Sequence, residues 1–210
     1  MTELPTKGAR TRVALLEAAI ERFARDGYRA TSVAEIARAA HLSSTAAYVY
    51  FPNKEALFIA AVDEDAAGVV NAGIGLILDA DRSQKWREDL LRTLLDALDD
   101  HPLARRVLGG LEPEFTVRLL DIPVLAELRK VYADQLVAQQ LAGDIRADID
   151  PDRMAGGVLT IMLSMLMSLI QTGLDPTEPR VADVHAVFDA ALAPLPVVSA
   201  RRSSARQPKR

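Results

Sequence analysis

Cysteine is absent from the 210-residue chain, which excludes disulfides, thiolate zinc sites and thiol nucleophiles together. Aromatic residues are scarce at 5%, with one tryptophan. The three histidines, His41, His101 and His185, lie too far apart for metal-ligand spacing. Alternating strand patterns are also missing, and no pair of them flanks an Asn-Gly or Asp-Gly turn. The opening MTELPTKGARTR has neither an apolar run nor a small-residue cleavage site, so no secretion signal is expected and a cytoplasmic location is.

The common enzyme signatures fail in detail. Asp148-Ile149-Asp150-Pro151-Asp152 begins like a calcium-binding loop, but Arg153 replaces its glycine and Leu159 its closing glutamate. Gly109-Gly110 and Gly156-Gly157 lack the Lys-Ser/Thr of a phosphate loop, and no G-x-S-x-G elbow occurs. Neither an enzyme nor a bound metal or cofactor is expected.

What is present is a lopsided charge distribution. Residues 1–60 carry eight Lys/Arg and six Asp/Glu, residues 61–196 carry twelve and twenty-three, and residues 197–210 carry five and none. A mildly basic start on a strongly acidic body predicts that one end alone meets a polyanion. The tail, VVSARRSSARQPKR, has the composition of a disordered segment, and its arginines either add non-specific DNA affinity or are simply solvated.

Helical periodicity runs throughout. A first helix is expected over Thr11 to Arg25, with Val13, Leu16, Ile20 and Phe23 as its apolar stripe and Gly27 as its stop. Ser32 and Glu35 form a capping box for a helix over Val33 to Ala40. Ser43 can cap a very short one over Ser44 to Tyr50, and Asn53 another running from Lys54 past Val62. Later helices are expected over Ser83–Asp100, Leu103–Leu108, Glu114–Leu141 (interrupted near Ile122-Pro123), Pro151–Thr172 and Pro179–Ala193.

The pair Val33–Ala40 and Ser44–Tyr50 is separated by a break too short for anything but a steep crossing, the helix-turn-helix arrangement. Small residues on the second helix let it approach the floor of a DNA major groove. Ser44 and Thr45 can donate to phosphates or base edges, Ala46 can meet a thymine methyl, and the amides near Ser32 and Ser43 suit phosphate. A plain helical hairpin, with Tyr48 and Phe51 buried, is the competing reading.

Residues 10–60 resemble the DNA-binding domain of the TetR/AcrR family of bacterial transcriptional regulators. The likeness rests on AAIERFARDGYRATSV, EIARAA, Ser43 and YVYFPNKEALF, about a quarter of the chain. His41 departs from the glycine usual in the turn, and Ala46 and Ala47 stand where Thr and Leu are frequent. The resemblance implies an all-α fold of about nine helices. An N-terminal three-helix helix-turn-helix domain (1–55) would precede a larger ligand-binding and dimerisation domain (56–196) and a basic tail (197–210). It implies phosphate contacts from Thr31 or Ser32, Ser43, Tyr48 and Lys54, and base contacts from Ser44, Thr45, Ala46 and Tyr50. Tyr48 either grips the backbone or packs inward, and Arg10 and Arg12 either steer DNA or are ordinary surface charge. The partners implied are a palindromic double-stranded DNA operator, a second copy of the chain, and a small apolar effector that releases a repressor.

The uncharged stretch Met154 to Leu174 is long enough to cross a bilayer, which makes a helical membrane-associated or scaffold protein the alternative. Its Gly, Ser, Thr and Gln content favours a core helix of a dimer instead. With Leu159, Leu163, Leu166 and Ile170 it would pair with Val184, Val187, Phe188 and Ala191 in a four-helix bundle, as the resemblance implies. Trp86, Leu90, Leu94, Leu128, Met162 and Met165 are expected around a lipophilic pocket.

Overall fold

A computed structural model describes residues 6–79, 85–115, 122–174, 177 and 179–194. Among these, nine helices and no strand occur: α1 (Lys7–Ala30), α2 (Val33–Ala39), α3 (Ser44–Tyr50), α4 (Lys54–Leu78), α5 (Lys85–Ala97), α6 (Pro102–Leu108), α7 (Pro123–Ala142), α8 (Pro151–Thr172) and α9 (Pro179–Leu192). The tail at 197–210 lies outside the described residues.

Helix α1 starts four residues before the expected position because the Thr6 hydroxyl accepts from the Ala9 amide at 3.2 Å. Its buried stripe is Leu15, Leu16, Ala19 and Phe23, while Val13 turns half outward. Gly27 kinks the helix rather than stopping it, and one further turn reaches Ala30. Its φ of +82° is a glycine conformation, and a Cβ there would lie 2.5 Å from the Arg106 guanidinium and 2.8 Å from a Glu112 carboxylate oxygen.

Helix α4 is the axis of the molecule and packs against α1, α5, α6 and α7. Asn53 caps it, accepting from the Ala56 amide at 2.8 Å, and the helix passes unbroken across position 55/56. Leu57 and Phe58 are fully buried, each worth about 1.5–3 kcal/mol. Phe58 joins Phe23, Tyr28 and Phe115 in an aromatic cluster with centroid spacings of 4.3–6.2 Å. That cluster ties α1 and α4 to the turn at residues 113–115.

Two carboxylates on α4 hold the starts of other helices. The buried Asp65 accepts from the Leu103 and Ala104 amides at 2.8 Å each, and His101 Nδ1 lies 3.2 Å from its other oxygen. Asp63 accepts from the Val124 amide at 3.0 Å. Neither α6 nor α7 has a side-chain cap of its own, and each opens with a proline. Of the broken pair expected over Glu114–Leu141, the second part is α7, which starts at the expected interruption, where Pro123 fits a first turn and Asp63 supplies the missing acceptor. Residues 116–121 of the first part lie outside the described residues.

Helix α8 packs on α7, α6 and α5 and opens as its sequence predicts, with Asp150 accepting from the Asp152 and Arg153 amides. It is the one helix among the described residues long and apolar enough to cross a membrane, yet only 28% of its most apolar window is buried within the chain.

Candidate nucleic-acid interface and apolar cavity

The helix-turn-helix is closed by its own backbone. The Ser32 hydroxyl and the Glu35 carboxylate complete a capping box on α2. Those hydrogen bonds from the Ser32 amide and hydroxyl hold the Glu35 carboxyl below its ordinary value. At the turn, the Leu42 amide donates to the Ala37 carbonyl at 2.8 Å and the His41 amide to Arg38 at 3.1 Å. That motif needs a left-handed residue, and His41 fills the place at φ +58°. Ser43 then caps α3, accepting from the Ala46 amide at 3.2 Å.

The two faces of α3 are now distinguishable. Ala47 is buried at 1% exposure against the domain core, a small residue placed where α3 must sit close to its neighbours. Opposite it, Thr45, Tyr48 and Val49 are exposed, at the one-turn spacing that puts them on one face. Val49 is 79% exposed, and sequence reasoning passed over it because an apolar residue between two tyrosines reads as core. Ser44 and Ala46 flank this face half-buried.

Tyr50 lies elsewhere. It is half-buried against the core, and its hydroxyl would be 3.9 Å from a Cβ at Gly8 of α1. Thr31 is buried too: its hydroxyl donates to the Gly27 carbonyl at 2.8 Å, so it pins the α1 kink rather than facing solvent. Ser32 is exposed, though its amide and hydroxyl already serve Glu35. Lys54 lies 4.4 Å from the Tyr28 ring centroid and donates to the Arg29 carbonyl at 3.4 Å. Arg12 lies over Phe51 at 5.3 Å, on the α1 side of the same unit.

The family model for bacterial regulatory proteins of the tetR family matches residues 15–61, from mid-α1 into α4. Residues 15–61 are a TetR-family DNA-binding domain, and the chain that carries them is a DNA-binding transcriptional regulator. Its relatives are transcription factors rather than enzymes. The HTH-type regulator YuxN of Bacillus subtilis is 49% identical over 45 residues, 21% of this chain and 16% of that protein. The HTH-type regulator YdgC of the same organism is 24% identical over 185 residues, 86% of this chain and 92% of that one. In fold, the fatty acid degradation regulator FadR from Bacillus halodurans matches 90% of this chain and 96% of its own length, with a TM-score of 0.65 at 18% identity. A TetR-family regulator from Cytophaga hutchinsonii matches 91% and 98%, with a TM-score of 0.65 at 17% identity.

Away from the helix-turn-helix, the chain contains an apolar cavity of about 510 Å³ between α4, α5, α6, α7 and α8. Of the residues expected there, Leu94, Leu128 and Met162 line it. Trp86 packs edge-on to Tyr132 at 5.0 Å instead, Leu90 packs against Gly73 of α4, and Met165 is half-buried outside the lining. The wall that α4 contributes, including Val62, Ala66 and Val69, carries no signal in the sequence that separates it from ordinary core. Leu159, Leu163 and Leu166, expected to face a partner chain, line this cavity. Phe188 is buried, Ile170, Val184 and Ala191 are half-buried, and Val187 is 64% exposed. The outer stripe of α8 is Gly157, Ile161, Ser164 and Ser168.

Proposed function

We propose that this regulator is a cytoplasmic homodimeric repressor, released from a palindromic operator by a small lipophilic effector held in the cavity. The observation that carries the reading is that helices walling the cavity also hold the DNA-binding end. Ala66 of α4 and Ala104 of α6 line the cavity beside the Asp65 cap that joins those two helices. At the far end of α6, Arg106 donates to Glu112 at 2.8 Å, and the same carboxylate oxygen accepts from the Tyr28 amide at 3.0 Å. A ligand that spreads α4 from α6 therefore moves α1 and the helix-turn-helix with them. Release follows if the ligand favours that arrangement over the DNA-bound one.

The reading assigns residues 1–55 to DNA and 56–196 to effector and partner. In it, Thr45, Tyr48 and Val49 face the groove, with Ser44 and Ala46 at its margins. The partner covers Ile161, the small residues beside it on α8, and Val187 of α9. Two α3 helices would lie about 34–36 Å apart or at a multiple of that spacing. Selection of bound sequences from a random DNA pool is expected to return a palindrome, and an apolar effector to lower affinity for it. Recovery of non-palindromic sites, or operator affinity indifferent to any apolar ligand, refutes the reading.

The low burial of α8 favours a second reading, a membrane-associated helix. Gly157, Ser164 and Ser168 on its outer face suit close packing against protein better than lipid. Recovery as a dimer without detergent supports the first reading, and recovery only from membranes supports the second.

A further inference from the structure

The cavity has a polar end, and its own lining includes one charged side chain. Among its described lining residues the only ionisable side chain is Arg129 of α7, and the one other polar side chain is Thr160, whose hydroxyl is spent on the Gly156 carbonyl at 2.8 Å. A shallower, polar hollow adjoins the cavity and shares Ala126 and Arg129 with it. Arg129 thus stands at the junction of an apolar chamber and a wet mouth. The acids of that mouth, Asp134, Asp150 and Asp152, line the outer hollow alone.

The guanidinium is held in place at this junction. It lies against Gly156 of α8, where a Cβ would be 3.4 Å from its central carbon, and donates from Nη2 to the Asp152 carboxylate at 2.5 Å. Nη2 also reaches the Asp152 carbonyl at 3.3 Å. Both hydrogen bonds leave from the same nitrogen, so Nε and Nη1 keep their donors for something else. A guanidinium is weakly hydrated and matches a carboxylate in two-pronged geometry, which makes it the suitable cation for the rim of an apolar chamber. With 45% of its side chain exposed, the guanidinium offers those donors to water until a ligand arrives. A carboxylate can then accept from both in fork geometry, whereas an alcohol offers one oxygen and an ammonium none.

Resting on the effector reading above, we propose that the effector is an anionic amphiphile: an apolar tail in the chamber and one carboxylate on Arg129. Arg129 is then the residue that sets head-group specificity. Asp152 competes for the same guanidinium and weakens the site.

The test is calorimetric titration of the full chain with dodecanoate, dodecanol and dodecylammonium, each below its micellar concentration. Dodecanoate is expected to bind about tenfold more tightly than dodecanol, the scale of one charge-assisted hydrogen bond, and dodecylammonium least. Arg129→Gln is expected to abolish the preference for dodecanoate while leaving dodecanol affinity unchanged. Asp152→Asn, with Arg129 intact, is expected to raise affinity for dodecanoate only. Tail binding without a carboxylate preference, or a preference that survives Arg129→Gln, overturns the head-group assignment and leaves the effector reading standing. Failure of all three ligands to bind overturns both.

Discussion

Replacing Asp65 by alanine tests whether α4 organises the ligand-facing half of the molecule. The carboxylate accepts from two amides at the start of α6, Leu103 and Ala104, which are 0% and 3% exposed. His101, the residue at the capping position, contributes no cap hydrogen bond. Truncation therefore strands two buried donors and removes a charge from the positive end of a helix. Hydrogen bonds to a charged acceptor are worth about 1.5–3 kcal/mol each, so the loss should come to about 3–5 kcal/mol. The contact to His101, which keeps 26% of its side-chain exposure, adds less. For a chain of this size that lowers Tm by on the order of 10 °C. Asp65→Asn keeps one acceptor oxygen and should cost about half as much. Urea unfolding followed by circular dichroism measures both. A change below about 0.5 kcal/mol in Asp65→Ala would refute the argument, because surface carboxylates behave that way and buried caps do not.

Other perturbations probe the remaining joints. Gly27→Ala places a Cβ in a left-handed residue 2.5 Å from Arg106, and should destabilise the chain by about 2 kcal/mol or more in the same unfolding assay. His41→Gly relieves the left-handed turn residue at φ +58° and should stabilise it by about 0.5–1 kcal/mol. Burial pushes the Tyr132 hydroxyl up to about 12, so the folded chain keeps this proton where the unfolded chain releases it. Stability is then unchanged below about pH 10 and falls by up to about 3 kcal/mol as pH rises towards 12, a slope that Tyr132→Phe should remove in pH-dependent denaturant titrations. Tyr48→Ala and Val49→Ala should each weaken binding to a selected DNA site without lowering Tm, read by gel shift and calorimetry.

Much of the N-terminal unit was legible because its signals are local. A capping box, a cap at Ser43, a cap at Asn53 and the left-handed demand on His41 each involve residues within about one helical turn, so the chain states them directly. Proline and Asp150 announce α8 for the same reason. Periodicity also picked out an apolar stripe on α1 while misjudging its centre: Val13 and Leu15 are two residues apart, and only the seat of α1 on α4 decides which of them faces in.

Three things had no local signature. Thr31 and Tyr50 look like the polar residues of a DNA-reading surface, and they turn inward because α1 passes behind them. The starts of α6 and α7 depend on Asp65 and Asp63, carboxylates 38 and 61 residues away from the amides they hold. The leucines of α8 could have served a partner chain or a cavity, since a helix apolar on most faces does not say which face meets what. The sequence by itself determined where α2, α3, α4 and α8 begin, which pair forms the helix-turn-helix, and that one end of the chain is suited to DNA. The tertiary structure alone decided which apolar residues enclose a space, and that a single guanidinium stands at its mouth. Walls and caps of that kind are made by side chains from distant segments, and no spacing along the chain records them.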